Sequence, residues 1–401
     1  MKYTPLNLGR YVVWSTFALI LLVVPWVFTK GAALSILSQI GTLMIFGLSY
    51  NMLLGQGGML SFGHAVYSGL GAFFAIHVMN KYVAVPTSLV PLVGGFAGMG
   101  IGVLFGYVTT RKSGTTFAMI TLGLVELVFA SSLMFPGFFG GEGGITTNRV
   151  RGEAFLGLSY GPQIEVYYLI AVWLFISTAA MFAFTHTPLG RMINAVRDNP
   201  ERVEFVGYDA QWVRYLTLIL SAFFAGISGG LSAINFEIVS AENVSAIRSG
   251  AILLFVFIGG IGFFFGPLLG VIVGVFFSVM LSEFTPAWQL YLGVFFILLV
   301  RFAPAGLASL IMLLLRVAKF GKFGRIWRPL LLVLGAASLM AVGAVAGIES
   351  LYRESGESHW AAALVLFVAG AGLFRVVAPR YAAVWHDVNA DIAARLRGGG
   401  A

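Results

Sequence analysis

A few polar side chains stand inside long apolar stretches of this sequence, where their chemistry would matter most. Glu126 is the single carboxylate deep in such a stretch (FAMITLGLVELVFASS). A carboxylate in a dry setting is costly unless paired or protonated, so it marks a functional position by default. It could receive an ammonium group from a passing solute, or hydrogen-bond a helix break elsewhere. His64 lies in SFGHAVYSGLGAFFA, with Ser61 and Tyr67 close to it on a helical wheel. It could line a path, join Glu126 in a proton relay, or pack as a hydrogen-bonded ring. Asn51 and Gln56 flank the GQGG run that precedes it, and a helix broken there would expose polar ends. No His, Asp and Glu grouping has metal-ligand spacing, so no metal site is expected. No Ser/His/Asp arrangement favours nucleophilic catalysis. The absence of Cys excludes disulfides and thiolate chemistry.

The elements that must hold these groups are apolar helices. Of the 401 residues 59% are hydrophobic and 10% charged, against about 25% charged in a soluble chain. Stretches long enough to cross a bilayer recur at 11–29, 32–54, 58–79, 88–110, 115–135, 166–186, 212–234, 247–262, 265–282, 287–301, 329–348 and 359–378. The expectation is an all-α polytopic bundle of about ten core spans plus two C-terminal ones. Basic residues are retained on the cytoplasmic side. With both termini inside, 18 of the 24 Lys and Arg fall inside, whereas Lys30, Lys81, Arg149, Arg151, Arg248 and Arg353 fall outside. The net charge of +8 therefore follows topology and does not point to nucleic acid.

The inner loop 187–211 (TPLGRMINAVRDNPERVEFVGYDAQ) reads as an amphipathic helix over 191–205, closed by Gly207. Met192, Ala195, Val196 and Val203 fall on one side, while Arg191, Arg197, Asp198, Glu201 and Glu204 fall mostly elsewhere. Such a helix suits docking to a soluble partner, and equally suits a solvated or membrane-surface connector. The KFGKFGRIWR run suits anionic headgroups or simple topogenic anchoring.

The stretch TPLGRMINAVRDNPERVEFVGYDAQWVRYLTLILSAFFAGISGGLSA resembles the ATPase-coupling loop and following helix of the M-type (LivM-type) permeases of branched-chain amino acid ABC importers. NMLLGQGGMLSFGHA at 51–65, TFAMITLG at 116–123, the Gly-rich 140–145 segment, and Gly259-Gly260-Ile261-Gly262 with Gly266-Pro267 follow the same order. The likeness covers about 35–310 and implies a permease core at 1–310. A basic cytoplasmic linker at 311–328 and a two-span extension with tail at 329–401 lie outside it.

The resemblance implies a bacterial inner-membrane subunit paired with a second, LivH-like permease in a heterodimer. Two cytoplasmic ATPase subunits would bind ATP and Mg, since no GxxxxGK[ST] phosphate loop occurs in this chain and no cofactor is expected on it. A periplasmic solute-binding protein would deliver substrate. Gly190, Arg191, Ala195, Arg197, Asp198, Glu201 and Gly207 would couple to the ATPases. Asn51, Gln56, Ser61, His64, Tyr67 and Glu126 are candidates for the translocation path, and Glu142, Arg149 and Arg151 for docking of the binding protein. The cargo implied is a branched-chain amino acid, with urea, amides or small organic acids open. A self-sufficient proton-coupled carrier or channel is the second class of function, and an intramembrane enzyme has little behind it.

Overall fold

The computed structural model describes residues 8–82, 84–151, 159–352 and 357–398. Helices dominate: α1 Leu8–Val27, α2 Gly31–Asn51, α3 His64–Lys81, α4 Val90–Thr109, α5 Gly114–Met134, the single turn α6 Pro136–Phe139, α7 Gln163–His186, α8 Pro188–Asp198 and α9 Pro200–Phe205. Then come α10 Ala210–Phe236, α11 Ala246–Gly259, α12 Gly266–Val275, α13 Trp288–Phe302, α14 Leu307–Lys319, α15 Phe323–Tyr352 and α16 Glu357–Gly398. Two short strands, β1 Ile145–Thr146 and β2 Ile238–Val239, pair antiparallel with Ile145 opposite Val239.

Among the described residues eight helical segments are long and apolar enough to cross a membrane by themselves. A ninth is counted if α13 and α14 form one bent span. The twelve expected stretches exceed this because α1 and α11 offer shorter apolar helices and the 58–79 stretch is helical only from His64. Proline sets several starts: Pro91, Pro188, Pro200 and Pro267 sit in first turns, where the missing N–H is no loss.

The chain divides into two compact units, 1–309 and 310–401. In the first, α10 is central, with 89% of its most apolar stretch buried. It packs on α2, α3 and α4. Glycines make that packing close: a Cβ on Gly71 would lie 2.8 Å from the Gly226 Cα and 2.8 Å from the Gly94 carbonyl. Small residues at such crossings let backbones touch, the main source of attraction between helices in lipid.

In the second unit α15 packs against α16. A Cβ on Gly370 would lie 2.5 Å from the Met340 nitrogen. The basic segment 311–328 is largely helical, formed by α14 and the head of α15, and α16 runs on to Gly398. Lys322 meets Asp391 at 2.8 Å and Arg325 meets Asp387 at 2.9 Å. The basic run is thus partly neutralised by acids of its own chain. Arg353 lies outside the described residues.

Candidate functional site

The site begins where α2 fails to continue. After Asn51 the helix widens into a π turn, Met52–Gln56, and the chain then runs without helix until α3 begins at His64. Gly58 sits at φ +63°, a left-handed conformation that glycine adopts freely. Tyr50 staples the two sides: its hydroxyl donates to the Ser61 carbonyl at 2.8 Å and accepts from the Ser61 N–H at 3.2 Å. Ser61 Oγ accepts in turn from the Gly63 N–H at 3.3 Å.

His64 is fully buried beside this staple. Its ring stacks on Phe46 with centroids 5.3 Å apart and meets the Tyr50 and Tyr67 rings edge-on. Nε2 lies 3.0 Å from Ser49 Oγ. The Ser49 hydroxyl spends its one proton on the Phe46 carbonyl at 2.7 Å. The imidazole must therefore be the donor, which assigns the proton to Nε2 and leaves Nδ1 bare and without a partner among the described residues. Packing and this hydrogen bond account for the ring.

A second break, Gly260–Phe265 between α11 and α12, nests against the first. Asn51 Nδ2 donates to the Phe263 carbonyl at 3.4 Å. A Cβ on Gly55 would lie 2.5 Å from the Ile261 carbonyl, so only glycine lets the two breaks touch there. Asn51 Oδ1 and Gln56 Oε1 are buried without partners among the described residues. Unsatisfied buried oxygens are costly, and these two lie at the contact between the two broken helices.

Beneath this joint crosses α8. Thr187 caps it by accepting from the Gly190 N–H at 3.1 Å, and Asn194 donates back to the Gly190 carbonyl at 2.8 Å. Gly190 abuts the Phe184 carbonyl at the α7–α8 elbow. Ile193 and Val196 are buried, Ala195 is half-buried, and Arg191, Arg197 and Asp198 are exposed. Ile193 packs on Gly57, and Arg197 donates from Nη1 to the Gly55 carbonyl while pairing with Asp198 at 3.0 Å.

The expected single helix over 191–205 is two. Asn199 adopts an extended conformation before Pro200, which disfavours a helical predecessor, and its side chain caps α9 at the Arg202 N–H. Glu201 is exposed in the first turn of α9, and Gly207 stands at φ +93° after its end. Phe205 is 90% exposed and Val206 70%, an apolar tip that the helical wheel counted only as the end of an element.

Of the two roles open to Glu126, the structure speaks against one. It does not support the 55–64 break but stands exposed on α5, amid Met119, Leu122 and Leu127. The residue of α5 that supports the break is Thr121, whose Oγ1 accepts from the Phe62 N–H at 3.1 Å. Glu126 and His64 are accordingly not brought together. Beside Thr121 lies a small recess lined by Gly63, Val66, Tyr67, Phe105 and Leu124, too narrow to hold a water molecule.

In the segment between α6 and α7, Glu142 is exposed. Arg149 turns inward, donating to the Tyr160 carbonyl at 2.7 Å and the Gly161 carbonyl at 3.0 Å. Its own N–H donates to Glu237 Oε1 at 2.8 Å. With the β1–β2 pair, Arg149 fastens the loop to the end of α10, and its guanidinium is not presented outward. The Arg151 side chain lies outside the described residues.

Residues 32–303 match the family model described as branched-chain amino acid transport system / permease component. The high-affinity branched-chain amino acid transport system permease protein LivM of Escherichia coli is 28% identical over 313 residues, covering 72% of this chain and 73% of the relative. A probable branched-chain amino acid transport permease protein LivM of Methanocaldococcus jannaschii is 24% identical, covering 68% of this chain and 92% of the relative. The fructose import permease protein FrcC of Rhizobium meliloti is 25% identical over 52% of this chain and 62% of its own length. No solved structure matches.

Proposed function

The chain belongs to the family of permease components of branched-chain amino acid transport systems, and we propose that it forms, with a second permease, the ATP-driven import path for branched-chain amino acids in a bacterial inner membrane. Both termini and the α8–α9 segment face the cytoplasm in this reading, where two ATPase subunits bind ATP and Mg. A solute-binding protein delivers cargo at the opposite face, where Glu142 is exposed.

The observation that carries the reading is the position of α8. It is a short amphipathic helix between α7 and α10, tied through Arg197 to the break that separates α2 from α3. ATPase closure pushes on the α8 surface carrying Arg191 and Asp198 and on the Phe205 tip. Arg197 passes that displacement to Gly55, and the Asn51–Phe263 contact passes it to the second break. The two breaks then exchange between a shut and an open arrangement, a rigid-body change of the two-state kind.

The fructose import permease among the relatives favours a second reading on substrate alone, in which the same framework carries another small polar solute. Reconstitution with the cognate permease, ATPases and binding protein tests both. ATP-dependent uptake of leucine, isoleucine or valine is expected, with none by the lone chain. Uptake by the lone chain under a proton gradient would overturn the reading in favour of a self-sufficient carrier.

A further inference from the structure

Two charged groups of opposite sign, Arg248 packed against α3 and Glu126 exposed on α5, stand at one level of the first unit with no ion-pair partner among the described residues. Arg248 is in the first turn of α11. Its Nη1 donates to Asn243 Oδ1, while its Nε is buried and has no partner among the described residues. Among the described residues neither Arg248 nor Glu126 forms an ion pair.

The depth of Arg248 follows from its neighbours on α3. The Asn243 backbone abuts Gly69, and Ser249 Oγ accepts from the Ala65 N–H at 2.9 Å. The far end of α3 is marked by Asn80, whose Nδ2 donates to the Thr146 carbonyl in the outer loop. Eleven residues separate Gly69 from Asn80, about 16 Å of helix. Arg248, expected on the outside at the start of the 247–262 span, is therefore near the middle of an apolar layer roughly 30 Å thick. The loop after β2 dips inward before α11 begins.

Glu126 shares that level. Thr121 meets Phe62 and Gly63, just before α3, and Phe138 and Phe139, just beyond α5, meet Phe73 and Phe74, so the two helices run in one direction. Glu126 is about 7.5 Å beyond Thr121, and Gly69 about 9 Å beyond Gly63. Moreover, α5 packs against both the 241–244 turn and α11. Lipid is a poor environment for either charge.

We propose that Glu126 and Arg248 are the two poles of a mid-membrane station for a zwitterionic α-amino acid. This rests on the permease reading above and assigns its cargo a binding place. The guanidinium takes the α-carboxylate through its planar fork, which matches a carboxylate geometrically as an ammonium does not. Glu126 takes the α-ammonium. The apolar side chains around Glu126 on α5 receive an aliphatic side chain.

The test uses the full permease–ATPase complex without binding protein, with three ligands of matched carbon skeleton: leucine, 4-methylpentanoate (no ammonium) and 3-methylbutylamine (no carboxylate). The wild type is expected to bind leucine at least tenfold more tightly than either analogue. Glu126→Gln should bind leucine and 4-methylpentanoate alike, and Arg248→Gln should bind leucine and 3-methylbutylamine alike. Equal weakening of all three ligands, or no change, would overturn the station, as would a wild type that transports leucine yet binds none of them. Should Arg248→Gln not assemble, Arg248→Lys must weaken leucine several-fold and leave 3-methylbutylamine unchanged; a uniform loss counts against the station. ATP-driven leucine uptake by the wild-type system is measured beside it, and its absence would sink the permease reading itself.

Discussion

Arg197, on the helix that crosses beneath the bundle, donates from Nη1 to the carbonyl of Gly55, 2.5 Å away in the break between α2 and α3. The donor is charged and the acceptor is a main-chain oxygen freed by the π turn. One contact therefore joins the segment proposed to receive an ATPase to the break proposed to gate the path. The contact is strong in kind but partly open to water, with 39% of the arginine side chain exposed. It contributes about 1 kcal/mol, enough to transmit a displacement and too little to fix the fold.

Replacing Arg197 by Gln should therefore lower uptake at least tenfold while the complex still assembles and still hydrolyses ATP. Lysine should restore only part, because it lacks the planar fork. Parallel uptake and ATPase assays on the same preparation read the uncoupling.

Phe205 is the most exposed large apolar side chain of the α8–α9 segment. Phe205→Ser should change the thermal stability of the isolated chain by less than about 0.5 kcal/mol, as surface substitutions do. It should nevertheless weaken co-purification of the ATPase subunits several-fold. Unchanged recovery of those subunits would remove the apolar tip from the docking surface.

Gly226 touches the Gly94 backbone, and a larger side chain would have to displace main chain. Gly226→Leu should cost at least the 1–3 kcal/mol typical of overpacking and reduce folded yield. Gly100, on the neighbouring helix with open space around its Cβ position, should accept Ala with no loss. Thermal unfolding monitored by fluorescence separates the two.

His64 is assigned a packing role. His64→Phe keeps a ring between Phe46 and Tyr50 and leaves the Ser49 hydroxyl bonded to Phe46, so the loss should be about 1 kcal/mol. His64→Ala empties the site and should cost about 3–5 kcal/mol, as other buried ring deletions do. Uptake by the Phe variant should stay within twofold of wild type; a collapse of uptake with stability intact would return His64 to the path.

Much of this arrangement was legible in the sequence where local chemistry dictates it. The GQGG run announced the break, and the apolar spacing from Met192 onward announced α8, which begins earlier, at Pro188. The Asn199-Pro200 pair carried the signal for splitting the coupling segment and was read through as helix because the apolar spacing continued across it. Thr121 was invisible, since a threonine in an apolar helix gives no sign of which neighbour it will bond. The exposure of Glu126 and the depth of Arg248 depend on how α5 and the 241–244 turn pack on α3, which no single-helix pattern encodes. The pairing of Lys322 and Arg325 with Asp391 and Asp387 was hidden for the same reason, being contacts between residues more than sixty positions apart.

The central claim is that α8 and the α2–α3 break move as one body. The Cβ position of Gly58 lies 3.8 Å from Arg197 Cβ, the mean separation in disulfides, and the chain has no cysteine of its own. A Gly58→Cys, Arg197→Cys double variant in the reconstituted complex lacks the native hydrogen bond but can replace it with a covalent tie. Substrate uptake should be low under reductant and should rise on oxidation, when the disulfide restores the link. Uptake that stays low or falls further once the disulfide has closed would contradict the account.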